Sequence, residues 1–328
     1  MIITITPNPS VDRTFEVEHL ERGAVLRASG SRLDPGGKGI NVARALHLHG
    51  HAAAAVVPIG GSVGEHLQQL LRATGLQVIT VPIAGDVRSN VTIAELDGTV
   101  TKLNEGGPRL SEEELAALLR ATTSTYPDVR WVVASGSLPP GVHHSLFAEV
   151  VQRAHAAGAR VAVDTSGDAL ATVLPATPDV VKPNAEELAE LTGRPLTTLG
   201  DVLDAAAEVR ERGARVVLAS LGPDGVILQA DGIALHGELG VAEPRSTVGA
   251  GDATLAGYLT VPDDPVQAVR AAVAFGAAAV QRPGSQMPGP ADLRPDDVTV
   301  DERPDRSRPL RAPVQAPLGV VALSDATP

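Results

Sequence analysis

Ser246-Thr247-Val248-Gly249-Ala250-Gly251-Asp252-Ala253-Thr254-Leu255-Ala256-Gly257 decides how this chain is read. Two glycines and an alanine leave backbone N–H groups unobstructed, and a helix-like run follows. Such groups attract anions through their unpaired donors and the helix dipole. An aspartate beside that cradle is ill suited to holding a phosphate, because it repels one. Its place makes sense if it takes a proton from a hydroxyl attacking the phosphate. The stretch therefore predicts phosphoryl transfer, although a glycine-rich turn with a helix-capping aspartate would read the same way.

The chain has 328 residues, room for one large α/β domain or two small ones. Hydrophobic residues make up 43% of it, enough for a sizeable core. The aromatic set is only Phe15, Tyr126, Trp131, Phe147, Tyr258 and Phe275, so the core is aliphatic and base stacking has no platforms. A net charge of −12 also opposes nucleic-acid binding. There is no cysteine, which rules out disulfides and thiolate metal sites and fits a cytoplasmic protein. Met1–Pro7 reads as a strand and not as a signal peptide, and no apolar run reaches the ~18 residues of a membrane span. Lys38, Lys102 and Lys182 are the only lysines among 27 basic residues. Each is a candidate for a place where a compact ammonium fits and a guanidinium fork does not.

Outward from 246–257, strand-like and helix-like runs alternate. Strands are expected at Ile2–Thr6, Ala53–Pro58, Gln77–Pro82, Trp131–Ser135, Arg160–Asp164, Asp179–Lys182 and Arg215–Ser220. Helices are expected at Ile40–His49, Gly64–Thr74, Ser111–Arg120, His144–Ala157, Ala185–Thr192 and Asp201–Arg212, several closed by glycine. The third carries a capping-box pattern, Ser111 followed by Glu114. The alternation predicts a doubly wound, mainly parallel sheet with helices on both faces. Thr14–Ser31 and Arg88–Leu103 break the pattern as paired strands, the second a hairpin with its turn at Asp97-Gly98. They predict a small antiparallel β lid. One domain spans 1–300; 301–328, rich in proline and charge, reads as a mobile tail, with a last short strand near Val298–Val300 and an apolar patch at Leu318–Leu323.

Ligands of a doubly wound sheet bind beyond the carboxyl ends of its strands. Seven polar motifs fall there: Asn8 to Asp12, Gly36-Gly37-Lys38-Gly39 with Asn41, Ser135-Gly136-Ser137, Asp164-Thr165-Ser166-Gly167, Lys182-Pro183-Asn184 with Glu187, Ser220 to Gly225, and 247–252. Asp12 suits sugar hydroxyls, and Arg88 can clamp a phosphate by its fork. Glu187, three residues after Asn184, can order Mg²⁺ through water, or it is simply a charge at a helix start. His47, His49 and His51 spread around a helix axis and predict no metal site.

These motifs, in this order, resemble the ribokinase-like sugar kinases of the phosphofructokinase B family, over nearly all of residues 1–300. Thr6–Asp12, Gly36–Asn41, Ser135–Pro139 and Val181–Asn184 resemble its phosphosugar branch, as do Thr101-Lys102-Leu103-Asn104-Glu105-Gly106-Gly107 and the 283–293 segment. The resemblance implies ATP-dependent phosphorylation of D-fructose 1-phosphate to D-fructose 1,6-bisphosphate, with Mg²⁺. It implies Asp252 as base and Gly249, Ala250 and Gly251 as the anion hole. It puts Asp12, Gly37, Lys38, Asn41, Arg88 and Ser137 on the phosphosugar, with Lys102 and Asn104 in the lid. Lys182, Asn184, Ser220, Gly222, Gly225, Thr247 and Ser285 fall near ATP, and Glu187 near Mg²⁺. Lid-to-lid pairing implies a homodimer, with neither nucleic acid nor membrane as partner. Fructose 6-phosphate and tagatose 6-phosphate stay open as acceptors, because a fructofuranose ring is nearly twofold pseudosymmetric. A ribose or nucleoside kinase and a catalytically silent sugar-phosphate sensor are the remaining alternatives. The helix after Asp252 is expected to stop early, at Val261-Pro262-Asp263-Asp264-Pro265.

Overall fold

In the computed structural model, which describes residues 1–124 and 128–314, the chain opens with β1 (Ile2–Ile5), β2 (Ser10–Val17), β3 (Gly30–Gly36), α1 (Lys38–Leu48) and β4 (Ala53–Ile59). There follow α2 (Gly61–Ala73), β5 (Gln77–Pro82), β6 (Arg88–Glu95), β7 (Val100–Asn104), α3 (Glu112–Ser124) and β8 (Trp131–Ser135). Next come α4 (Leu146–Ala156), β9 (Arg160–Asp164), α5 (Gly167–Val173), β10 (Val180–Val181), α6 (Ala185–Thr192) and β11 (Leu196–Thr198). Then α7 (Leu199–Glu211) leads to β12 (Val216–Ser220), β13 (Val226–Ala230) and β14 (Ile233–Glu238). The rest is α8 (Ala250–Thr260), α9 (Pro265–Ala279), β15 (Thr299–Asp301) and β16 (Pro309–Val314).

Ten strands form one sheet in the order β15-β14-β13-β12-β10-β9-β8-β1-β4-β5. Every pairing from β12 to β5 is parallel. β13, β14 and β15 add an antiparallel edge. The β13–β14 hairpin turns at Asp231-Gly232, a dipeptide suited to tight hairpins. Strand alternation feeds two cores. On β8, Trp131 and Val133 face one core, and Val132 and Ala134 face the other. α1, α2, α8 and α9 cover the first; α3 to α7 cover the second.

Local chemistry sets the helix ends. Before α3, Ser111 Oγ accepts the Glu114 N–H and the Glu114 carboxylate accepts the Ser111 N–H, the expected capping box. α8 stops at Thr260; Asp264 then caps α9 through the Gln267 N–H, with Pro265 in the first turn. Residues Asp252 to Leu259 of α8 are all buried, which makes it a central helix clamped between sheet and neighbours.

A second sheet, β3-β2-β6-β7, has antiparallel outer pairs and a parallel β2–β6 pair. It starts at Ser10 and not at Thr14, and 18–29 form a loop. Its register lines up Asp34, Asp12, Asn90 and Asn104 in one cross-strand row. Among the described residues no helix is long and apolar enough to cross a membrane.

Residues 301–314 depart from the expected mobile tail. β15 extends the large sheet, and β16 pairs antiparallel with β11. The Leu199 N–H donates to Arg308 O, and the Gly200 N–H to Arg306 O. Leu310 is buried, and Arg308 grips Glu238 through both terminal nitrogens at 3.0 and 2.7 Å. Asp224, buried in the turn after β12, accepts the Arg311 N–H at 2.8 Å. The composition suggested disorder, but paired charges and one apolar anchor dock this segment. Leu318–Leu323, with the rest of 315–328, lies outside the described residues. Arg308→Met removes the bidentate grip and one of the two guanidinium groups near Asp224. We expect it to lower unfolding stability by about 1–2 kcal/mol, read by thermal or urea denaturation.

Candidate active site

The carboxyl edge of the parallel strands gathers most of the candidate residues. α8 starts there because Gly249 takes φ 79°, a left-handed conformation that favours glycine. The Ala250 N–H donates to Thr247 O at 3.3 Å, so one expected anion donor is already engaged. The Gly251 and Asp252 N–H groups have no acceptor among the described residues, as the first turn of a helix leaves them. A Cβ on Gly251 would lie 3.1 Å from Lys182 Nζ, so an ammonium rests against these amides.

Asp252 is 6% exposed, and its Oδ2 accepts a 2.9 Å hydrogen bond from Asn41 Nδ2. Burial pushes its carboxyl up to about 6, and the Asp164 charge adds to this. Lys38, the Asn41 hydrogen bond and Lys182 oppose the rise. Asp164 ends β9 and is fully enclosed. Its Oδ1 accepts from Lys38 Nζ at 2.7 Å, and Lys182 Nζ lies 3.1 Å from its Oδ2. Burial raises the Asp164 carboxyl, but the ammonium groups of Lys182 and Lys38 overcome it and hold it below the usual range. Burial would lower the Lys38 ammonium, yet Asp164, Glu187 and Asp252 together raise it.

Lys38 therefore keeps company with Asp164 and Glu187, whose Oε1 is 3.8 Å away, and not with Arg88. Glu187 Oε2 accepts the Asn184 N–H at 2.9 Å and Asn184 Oδ1 accepts the Glu187 N–H at 2.8 Å, a capping box that opens α6. Ser220 bridges to Asn184, and Gly222 to Gly225 turn beside it. Ser285 lies against Gly249, its buried Oγ without a hydrogen-bond partner among the described residues.

On the other side, Asn90 Nδ2 donates to Asp12 Oδ1 at 2.9 Å and Ser10 Oγ does so at 2.7 Å. Arg88 donates to Asn8 O, Glu105 O and Ser137 Oγ, which fixes its guanidinium where the small sheet meets β8. Gly37 precedes α1 and accepts the Asn41 N–H. Lys102 and Asn104 sit exposed on β7, and neither side chain has a hydrogen bond or ion pair among the described residues. No three His, Cys, Asp or Glu side chains converge on a metal site there either. Glu187 Oε1 fits a hard cation that arrives with phosphates, the usual habit of Mg²⁺. A cavity of about 340 Å³, between Val11, Arg13, Leu33, Ser89 and Val91 of the small sheet and Val63 and His66 of α2, includes none of these residues.

Asp164, Asn90, Ser10 and Arg44 belong to this site, and the sequence reading gave them no role. Asp164 stood in a strand-end motif, and Asn90 two residues after Arg88 shares its face. Both were legible signals.

Such a sheet defines a ribokinase-like α/β fold; ribokinase from Arabidopsis thaliana has the same fold (TM-score 0.71, 22% identity). Residues 6–292 match the pfkB family of carbohydrate kinases, and the chain belongs to that family. A 1-phosphofructokinase from Rhodobacter capsulatus is 37% identical over 89% of this chain and 94% of its own. The ATP-dependent 6-phosphofructokinase isozyme 2 of Escherichia coli strain K12 is 35% identical over 87% and 94%. Phosphofructokinase-2 from E. coli, solved with fructose-6-phosphate, superposes with a TM-score of 0.81 at 33% identity, covering 89% and 96%.

The raised Asp252 carboxyl has a cost in stability. Its folded value of about 6 lies above the ordinary 3.8, so its contribution is fully present below pH ~4 and lost as pH rises through 6. Asp252→Asn removes that penalty. We expect its Tm to match the wild type at pH 4 and exceed it at pH 8, read by thermal denaturation at the two pH values.

Proposed function

We propose that this kinase transfers the γ-phosphoryl group of ATP to D-fructose 1-phosphate, giving ADP and D-fructose 1,6-bisphosphate, with Mg²⁺ on the nucleotide phosphates. The observation that carries the reading is the Asp252 carboxylate, held by Asn41 beside open amides and next to Lys182. The acceptor hydroxyl gives its proton to Asp252 as its oxygen bonds the γ-phosphorus, and the bond to the ADP oxygen breaks. The Gly251 and Asp252 amides, with Lys38 and Lys182, face the charge that builds on the transferring group. Mg²⁺, when bound, would neutralise phosphate charge from the Glu187 side. Asp12, Asn41, Arg88 and Ser137 would hold the sugar phosphate, the first two at hydroxyls and Arg88 at the phosphate.

Fructose 6-phosphate is the second reading, favoured by the near-equal identity to the E. coli 6-phosphofructokinase. One or two hydroxyl contacts separate these sugars, about 1–3 kcal/mol each. Measuring kcat/KM for fructose 1-phosphate, fructose 6-phosphate and tagatose 6-phosphate decides, and preference for either 6-phosphate overturns the first reading. Asp252→Asn should keep ATP binding and lose roughly 10²–10⁴ in turnover. In the wild type, kcat/KM should fall as pH drops below about 6, because the base must be ionised to act. A flat profile from pH 5 to 8 argues against that role. We also propose a cytoplasmic homodimer joined through the small sheet, supported by exposed Leu96, Val100 and Leu103. Mass measurement in solution checks it, and Val100→Glu should shift it toward monomer.

A further inference from the structure

Asn41 holds Asp252 by one end of its amide, and the other end is held too. Arg44, one helical turn on in α1, donates from Nη1 to Asn41 Oδ1 at 3.2 Å. The same nitrogen reaches Ser285 O at 3.4 Å, in the segment that packs against Gly249. A guanidinium is a donor only, so it stabilises the amide with its oxygen toward Arg44 and its NH₂ toward Asp252. The reverse orientation would set Asn41 Oδ1 against a carboxylate and its NH₂ against a cation. Among the described residues Arg44 has no hydrogen-bonded carboxylate of its own: neighbouring Asp34 is hydrogen-bonded to Arg32 Nε at 2.6 Å. Burial lowers the Arg44 guanidinium, and the Asp34 charge offsets part of this.

We infer that Arg44 is a positioning residue for the reaction: it fixes the Asn41 amide so that Nδ2 meets the Asp252 carboxylate, and it ties that amide to the Ser285 backbone. It touches no reacting atom. The inference rests on Asp252 being the base, and it joins the sugar-side helix start to the nucleotide-side loop through one side chain. The charged groups around Asp252, namely Asp164, Lys38 and Lys182, come from β9, α1 and the end of β10, and Arg44 variants leave all three in place.

Arg44→Met keeps the apolar stem and removes every donor. The test measures kcat, both KM values and the pH profile of kcat/KM for Arg44→Met, Asn41→Ala and the double variant. Expected is a roughly ten- to hundredfold fall in kcat with KM for ATP changed less than about threefold. The acid limb should move to higher pH, because a loosened amide no longer favours the ionised base. In the Asn41→Ala background, Arg44→Met should add less than about twofold. A direct charge effect of Arg44 would persist in that background, so an equal fall in both backgrounds overturns the inference, as does an unchanged kcat. Arg44→Lys carries the test should Arg44→Met fail to fold: it keeps the charge but not the fork. A smaller shift in the same direction supports the inference, and wild-type values overturn it. Asp252→Asn in the same assay separates the two readings. Retained turnover there removes the base itself, whereas lost turnover there without Arg44–Asn41 coupling removes Arg44 alone.

Discussion

One enclosed carboxylate between two ammonium groups organises the carboxyl edge of the sheet. Asp164 is 1% exposed, a depth at which an isolated carboxylate would be protonated. Lys38 and Lys182 let it remain an anion, and they reach it from the first residue of α1 and the residue after β10. Segments more than a hundred positions apart are thereby held around one charge. The arrangement also spaces the two lysines, so that one approaches Gly251 in the first turn of α8 and the other approaches Glu187. Breaking such a pair leaves unpaired charge inside the protein, which costs far more than the intact cluster contributes.

Much of this was legible in the letters. β5, β8, β9 and α6 fall where apolar runs bounded by glycine or polar turns placed them. The scarcity of lysine was informative: two of the three converge on Asp164, and the third, Lys102, lies exposed. What could not be read was the company each residue keeps. For Lys38, nothing local says that its ammonium crosses to a strand, at Asp164, 126 positions away. Residues 301–314 looked disordered, because proline and alternating charge usually fail to bury enough apolar surface. Here the charges find fixed partners at Glu238, Asp204 and Asp224, and those pairings are non-local.

The two sheets differ in how firmly they are held. The large one is covered on both sides, and α8 is buried along almost its whole length. The small one keeps every residue of β6 only half-buried, and β7 is largely exposed. The helix that carries Asp252 is thus a fixed platform, while the row Asp12, Asn90 and Asn104 belongs to an element with fewer buried contacts and lower local stability. On the proposed reading, an acceptor would enter where the fold is least tightly packed and still meet a rigid carboxylate.

The docking of β16 on β11 has a consequence for the order in which the molecule is made. A nascent chain emerges from its N-terminus, and domains fold as their segments become available. The Asp224 carboxylate, Glu238 and the start of α7 all precede the residues that satisfy them, Arg306 to Arg311. Until those residues leave the ribosome, the turn after β12 carries a carboxylate without its Arg308 and Arg311 partners. Closure of this edge of the fold therefore waits for residues 306–311, and a chain cut before them lacks the segment that completes it.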